Sequence, residues 1–426
     1  MILLLFIYDI FFILTIILIY IPQHLLRRKF SLRAFLEKFP LLPQDYKGTR
    51  SSIWIQAVSV GEVFLIKKLI NQLEALPNLR IVISTTTLTG HGLANRLYSW
   101  CADIIFFPFD ISFVLKKVIK KIKPKVFVAI ETEIWPNLFY QLKRYNIPIV
   151  ILNGRISDGA YAKYKKIRFL IKSLLAIPTF IGVQNEFYKR RFLSLGAQSN
   201  KVFITGNMKF FSLEAEEEKV EYFKRRYVPL LKRKGQLLLI AASTHHPEEK
   251  MVLDIYTDLA KTGRLKLLIA PRHPERARDV GRLVRTYSFR PIMISKLNGD
   301  GLDYTRGVFV LDTIGDLFYF YSISDLCFVG GSLINYGGHN ILEPLYFLKP
   351  TLFGPFMSNF REIEEIVLAY NAAIKVQDTN DLENKLSKLI SDNDYRRQLS
   401  NNCFRVFADG EKYLNKNLEI VLKCLR

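Results

Sequence analysis

Three groups of residues in this chain have side chains suited to bond chemistry: two carboxylate segments, a few cations, and a glycine-rich stretch. Glu62 follows Ser59 by three positions, and Glu131 and Glu133 close the apolar run Val126–Ile130. A carboxylate in a partly dry site can take a proton from a hydroxyl, so each is a candidate general base. Each also has a plainer reading. Ser59-x-x-Glu62 is the capping-box pattern of a helix start, and a carboxyl pair at a strand end can simply face water. Arg272 comes straight after the apolar run Lys266–Ala270, where a cation suits a phosphate. Leu326–Val329 is a short apolar run ending in Gly330-Gly331; Gly337-Gly338, Asn340, Ile341, Leu342 and Glu343 come after it. The reading is strand, glycine loop and helix start capped by Asn340, with bare N–H groups turned toward an anion. Glu343 then stands within reach of two ribose hydroxyls; an ordinary strand-to-helix connection is the plain alternative. No G-x-G-x-x-G or Walker sequence occurs. His245-His246 and His273 lack a third ligand at a sensible spacing, so no metal site is expected.

The elements that must carry these residues alternate throughout. Apolar runs at 52–58, 80–85, 103–108, 126–130, 147–152, 179–184 and 202–205 read as buried strands with helices between them. A helix rich in Glu and Lys covers 214–234. The alternation then resumes at 237–241, 265–270, 291–294, 308–311, 326–329 and 350–353. Two such series predict two Rossmann-like α/β domains facing a cleft, with ligands beyond the carboxyl ends of the strands. The polar residues falling there are Glu62, Thr85–Thr87, Glu131, Glu133, Asn153, Arg155 and Lys209. In the second series they are Ser243, Thr244, Arg272, His273, Asp312 and the glycine stretch.

Charge and hydropathy are unevenly spread over the 426 residues. Residues 1–205 hold 29 Lys and Arg against 11 Asp and Glu, whereas the remainder holds 32 against 28. The basic half calls for an anionic partner: nucleic acid, a membrane surface or a phosphorylated substrate. Ile2–Ile21 is apolar apart from Tyr8, Asp9, Thr15 and Tyr20, long enough to span a bilayer, and Arg27-Arg28-Lys29 comes soon after it. With neither a basic lead nor a small-residue cleavage site, it reads as an anchor and not as a signal peptide. The positive-inside rule places the rest of the chain in the cytoplasm. The alternative, kept open by the charge of Asp9, is a helix packed into the fold or lying in the membrane interface. Cys101, Cys327, Cys403 and Cys424 show no paired spacing and read as reduced thiols.

Several segments resemble the family of 3-deoxy-D-manno-octulosonic acid (Kdo) transferases of lipopolysaccharide assembly. They are Ala57-Val-Ser-Val-Gly-Glu62, Glu131-Thr-Glu-Ile-Trp-Pro-Asn-Leu138, Gln184-Asn-Glu186 and Gly206-Asn-Met-Lys209. Further along come Ser243-Thr-His245, Pro271-Arg-His-Pro-Glu-Arg276, Asp312-Thr-Ile-Gly315 and Gly337-Gly-His-Asn-Ile-Leu-Glu-Pro344. The resemblance implies a B-type (GT-B) architecture and an inverting enzyme needing neither metal nor cofactor. It implies transfer of Kdo from CMP-Kdo to a lipid A precursor at the cytoplasmic face of the cell inner membrane. It puts Glu62 at the position of the general base, and Glu131 and Lys209 where the family supports the transition state. Pro271, Arg272, Ile314, Gly315, Asp316, Asn340, Ile341, Leu342 and Glu343 fall where it holds CMP. Gln56 departs from a histidine usual in the family, Ile314 and Asp316 from methionine and glutamate, and Gly154 from alanine.

The expected organisation is a single-pass transmembrane anchor over 1–24, an acceptor-binding domain over 25–210 and a CMP-sugar-binding domain over 211–426. Expected partners are CMP-Kdo, the lipid A precursor and inner-membrane lipid, with no nucleic acid. Two rival readings share parts of this pattern. One is another GT-B nucleotide-sugar transferase or epimerase; the other is a basic membrane-tethered nucleic-acid binder, against which the gathered carboxylates argue.

Overall fold

The structure, a computed structural model, describes residues 2–22, 32–39, 51–297 and 307–425. Arg27-Arg28-Lys29 and the expected boundary after residue 24 lie outside the described residues. The chain divides into two compact units, Met1–Ser212 with Gly410–Arg426, and Leu213–Asp409.

The first unit is built on β1 (Ser51–Gln56), β2 (Leu79–Thr85), β3 (Ala102–Phe106), β4 (Pro124–Ile130), β5 (Ile149–Gly154), β6 (Phe180–Val183) and β7 (Val202–Ile204). All pair in parallel, in the order β3-β2-β1-β4-β5-β6-β7. Strand period two sorts the apolar residues onto both faces. Ile53 and Ile55 join one core layer, while Trp54 and Phe127 join the other. Both faces carry helices, so the strands read as near-continuous apolar runs and not as alternations.

The second unit repeats the plan with β8 (Leu237–Thr244), β9 (Leu265–Pro271), β10 (Arg290–Met293), β11 (Gly307–Val310), β12 (Leu326–Val329), β13 (Thr351–Phe353) and β14 (Ile374–Lys375). Their order is β10-β11-β9-β8-β12-β13-β14, again parallel. The expected helix over 214–234 is Glu217–Leu231. β14 was not anticipated, being only two residues long.

Two features depart from the expectations. The expected C-terminal domain ran to residue 426, yet Gly410 onward belongs to the first unit. The reason is burial: Leu414, Ile420 and Val421, late in the long helix Asn393–Leu425, pack with Ile53, Val63 and Leu69. At the other end, an α-helix over Ile2–Thr15 passes into a π-helical segment, Ile16–Tyr20. No helix among the described residues is long and apolar enough to cross a membrane. Instead Asp9 ties this segment to the first unit. Its carboxylate accepts hydrogen bonds from Ser112 N at 3.0 Å and Asn137 Nδ2 at 2.7 Å. Ile16 is buried with Phe109, Ile111 and Val114, while Leu3, Phe6, Phe11 and Leu18 stay exposed.

Candidate functional site

In open parallel sheets, ligands collect where the strand order reverses. In the first unit that is between β1 and β4, and the expected carboxylates are there. Glu62 lies in the short helix Val60–Leu65 that β1 feeds. Its Oε2 accepts from Val58 N at 2.7 Å and its Oε1 from Ser59 Oγ at 3.2 Å. This is not the capping box the spacing suggested, because Glu62 takes the amide of Val58, one residue before the cap, and Ser59 makes no capping hydrogen bond. Glu62 is buried, and burial pushes its pKa from 4.5 up to about 7. The Val58 amide opposes that shift, and the charges of Glu131 and Glu133 add to it.

Glu131 directly follows β4 with φ +61°, a left-handed conformation costly for a residue with a side chain. Its amide donates to Leu152 O, and its Oε2 meets Arg155 Nε at 3.0 Å. Glu133 accepts from Trp135 Nε1 at 2.9 Å; burial raises its pKa to about 7 as well. Glu131, Thr132, Glu133, Arg155, Tyr164 and Tyr188 line a cavity of about 240 Å³. Buried Asn153, also left-handed at φ +57°, accepts from Met208 N at 3.0 Å, so β5 positions the turn that carries Lys209. Gly206 begins that turn at φ +74°, and a Cβ there would lie 2.2 Å from the ring of Tyr413. Thr85–Thr87 serve the fold instead. Thr85 Oγ1 lies 3.3 Å from His91 Nδ1, and Thr87 caps the helix Leu88–Tyr98. Gln56 is buried beside Ser84, its Nε2 donating to Thr86 Oγ1 at 3.3 Å.

In the second unit the order turns between β8 and β12. Arg272 follows β9 with an exposed side chain that makes no hydrogen bond or ion pair to another described residue; its amide donates to Thr244 O. Pro271 is buried as the end of β9. Ile314 is 87% exposed, Gly315 has φ +89°, and Asp316 precedes the helix Leu317–Ile323. Asp312 is occupied, its carboxylate accepting from Ser295 N at 2.9 Å and Ser295 Oγ at 2.5 Å.

The glycine stretch differs from its reading as a bare anion cradle. The amides of Gly331, Ser332 and Leu333 already donate to the carboxylate of Glu248. The helix after it is only Leu342–Tyr346, five residues, with Ile341 and not Asn340 at its cap position, so its dipole offers little. Asn340 Oδ1 accepts from Leu342 N at 3.1 Å, and its Nδ2 donates to Glu343 Oε1 at 3.0 Å. One oxygen of Glu343 is thereby committed. Ile341 and Leu342 bury their side chains, leaving only backbone for a ligand.

Sequence reasoning also missed a contact between histidines. His245 Nε2 and His339 Nε2 are 2.8 Å apart, and Tyr336 stacks on His245. Burial and nearby positive charge lower the pKa of His339 to about 4. No group of three or more metal-binding side chains forms among the described residues. These residues lie far apart in sequence, and no spacing signalled their meeting.

Two doubly wound parallel-sheet units define an α/β protein resembling GT-B glycosyltransferases. Solved structures share the architecture. UDP-GlcNAc 2-epimerase from Neisseria meningitidis, bound to UDP-GlcNAc, matches 88% of this chain and 99% of its own, with TM-score 0.58 and 16% identity. A glycosyltransferase from Rickettsia africae matches 89% and 100%, with TM-score 0.56 and 16% identity. At such identities the likeness is one of fold alone. Sequence goes further. Residues 33–212 match the family described as 3-deoxy-D-manno-octulosonic-acid transferase (kdotransferase). The 3-deoxy-D-manno-octulosonic acid transferase of Haemophilus influenzae is 34% identical over 87% of this chain and 86% of its own length. A bifunctional glycosyltransferase/methyltransferase of Fusobacterium nucleatum is 36% identical over 83% of this chain, which spans 55% of that longer protein. The chain belongs to the Kdo transferase family and is a glycosyltransferase.

Proposed function

We propose that the chain moves Kdo from CMP-Kdo to a lipid A precursor, with Glu62 as the general base and no metal. The carrying observation is the Glu62 carboxylate, buried at the β1/β4 reversal with its pKa near 7. Such a group is about half ionised at neutral pH, and its carboxylate form is basic enough to accept the acceptor's hydroxyl proton. The freed alkoxide attacks the anomeric carbon of Kdo as the bond to CMP breaks. CMP leaves as a phosphate monoester, and the anomeric configuration inverts. Arg272 meets the negative charge that gathers on that phosphate, while Pro271, Ile314–Asp316 and Asn340–Glu343 hold the nucleotide. Glu131 and Lys209 support the transition state, a role suited to the strained, ion-paired Glu131 and to the Lys209 turn held by Asn153.

The proposed place of action is the cytoplasmic face of the inner membrane. Most apolar side chains of the N-terminal segment, Leu3, Phe6, Phe11 and Leu18 among them, are exposed, and the basic first half suits anionic lipid and a phosphorylated glycolipid. Incubation with CMP-Kdo and a lipid A precursor, followed by mass spectrometry, tests the reading. The expected product is heavier than the acceptor by one or more Kdo residues. An unchanged acceptor, with CMP-Kdo intact, would refute it.

A further inference from the structure

Helix Glu248–Leu259 opens with two acidic residues that look like dipole-favoured surface charges, but Glu248 is 0% exposed and Glu249 1%. The Glu248 carboxylate accepts hydrogen bonds from four backbone amides. Oε2 takes Gly331 N at 2.6 Å and His245 N at 3.1 Å; Oε1 takes Leu333 N at 3.0 Å and Ser332 N at 3.1 Å. His245 follows β8 and the other three residues follow β12, so one side chain spans the point where the sheet order reverses. The neighbouring carboxylate extends the brace. Glu249 accepts from Thr244 Oγ1 at 3.1 Å and takes both guanidinium nitrogens of Arg276, at 2.8 and 3.3 Å, in the segment after β9. Gly330 fits this arrangement. A Cβ there would lie 2.7 Å from Glu248 Oε2 and 2.8 Å from Thr244 Cα, so a side chain at this position would push the carboxylate away.

Successive amides converging on one point form an anion-binding nest. We infer that Glu248 is a positioning residue for donor binding: its carboxylate is the permanent anion of the Gly331–Leu333 nest. The first glycine pair then serves the fold, locking together the segments that carry His245, Arg272 and the second glycine pair, and the nucleotide phosphate is met elsewhere, at Arg272. The inference rests on the CMP-Kdo reading only for what the nucleotide does. The nest itself is a property of the free enzyme.

Two measurements on the full chain test it. Gln at 248 keeps the shape but offers one acceptor oxygen and turns an NH2 group toward N–H donors. In Glu248→Gln, CMP affinity by titration calorimetry and the KM for CMP-Kdo should each worsen by about tenfold or more, while kcat changes by less than about threefold. A folded variant with wild-type CMP affinity and KM overturns the inference. Should that variant not fold, hydrogen exchange on the wild-type chain decides. The amides of Gly331–Leu333 should exchange as slowly without ligand as those of β12, and CMP should slow them no further. Rapid exchange in the free enzyme, or strong slowing on adding CMP, assigns the nest to the ligand and overturns the proposal. If CMP fails to bind the wild-type chain at all, the donor reading falls, and exchange in the free enzyme still decides the role of Glu248.

Discussion

Glu62 is a titrating group as well as a proposed base, and its two roles make separable predictions. Its folded pKa lies near 7 against an ordinary 4.5, so between those values the folded protein holds a proton that the unfolded chain releases. That favours the folded state at low pH, and the advantage is lost as pH rises through about 7. Glutamine bears no such cost. Glu62→Gln should therefore melt like the wild type near pH 4 and above it at pH 8, the gap reaching about 3 kcal/mol. Turnover should fall by about 10²- to 10⁴-fold with CMP binding intact. Near-wild-type turnover would make Glu62 a cap and move the base to Glu131 or Glu133. Arg272 belongs to the same scale. Its exposed guanidinium is not engaged by another described side chain, so Arg272→Ala should leave the melting temperature alone and weaken CMP binding by about 1.5–3 kcal/mol. Unchanged affinity in calorimetry would remove Arg272 from the donor site.

Among the elements, the N-terminal helix pairs apolar packing with two hydrogen bonds to a single carboxylate. Asp9 is held by Ser112 N and Asn137 Nδ2, and Asn137 also donates to Asp110 O at 2.7 Å. Replacing Asp9 with Ala leaves two donors short of an acceptor, at a cost of about 1–3 kcal/mol each where water does not reach them. Asp9→Ala should therefore loosen the helix from the first unit. Limited proteolysis should cut the chain between the helix and β1 faster than in the wild type, while the remainder stays folded. Identical cleavage rates would show that Ile16 and the surrounding phenylalanines hold the helix without Asp9.

For the whole molecule, the uneven charge and the outward apolar side chains lead to a binding experiment. The full chain should cosediment with vesicles containing anionic lipid. Removing residues 1–24 should leave only weak attachment that disappears as salt rises beyond the reach of surface electrostatics. Salt-resistant binding by the truncated chain would place the attachment in the α/β units. Ligand choice is read at this scale too. CMP at about a hundred times its dissociation constant should stabilise the fold by about 2.7 kcal/mol, and UDP should not. Equal protection by both would return the donor assignment to the wider class of nucleotide-sugar enzymes.

Much of the architecture could be read from local pattern. A parallel strand covered on both faces is a short run of apolar residues, and thirteen of the fourteen strands among the described residues show such a run; β14 has too few residues to leave one. The places of Glu131, Asn153 and Arg272 at strand ends were legible for a related reason, because a polar residue closing such a run stands at the carboxyl edge of the sheet. What pattern cannot carry is pairing between distant residues. Nothing local distinguishes Glu248, buried under four amides, from an exposed acid at a helix start. Nor does it announce that His245 meets His339, or that Leu414, Ile420 and Val421 return to the first core. The segment Ile2–Ile21 is the sharpest case. Its hydropathy is that of a membrane span, yet Asp9 accepts two hydrogen bonds from residues more than a hundred positions away, a pairing that exists only once the chain has folded.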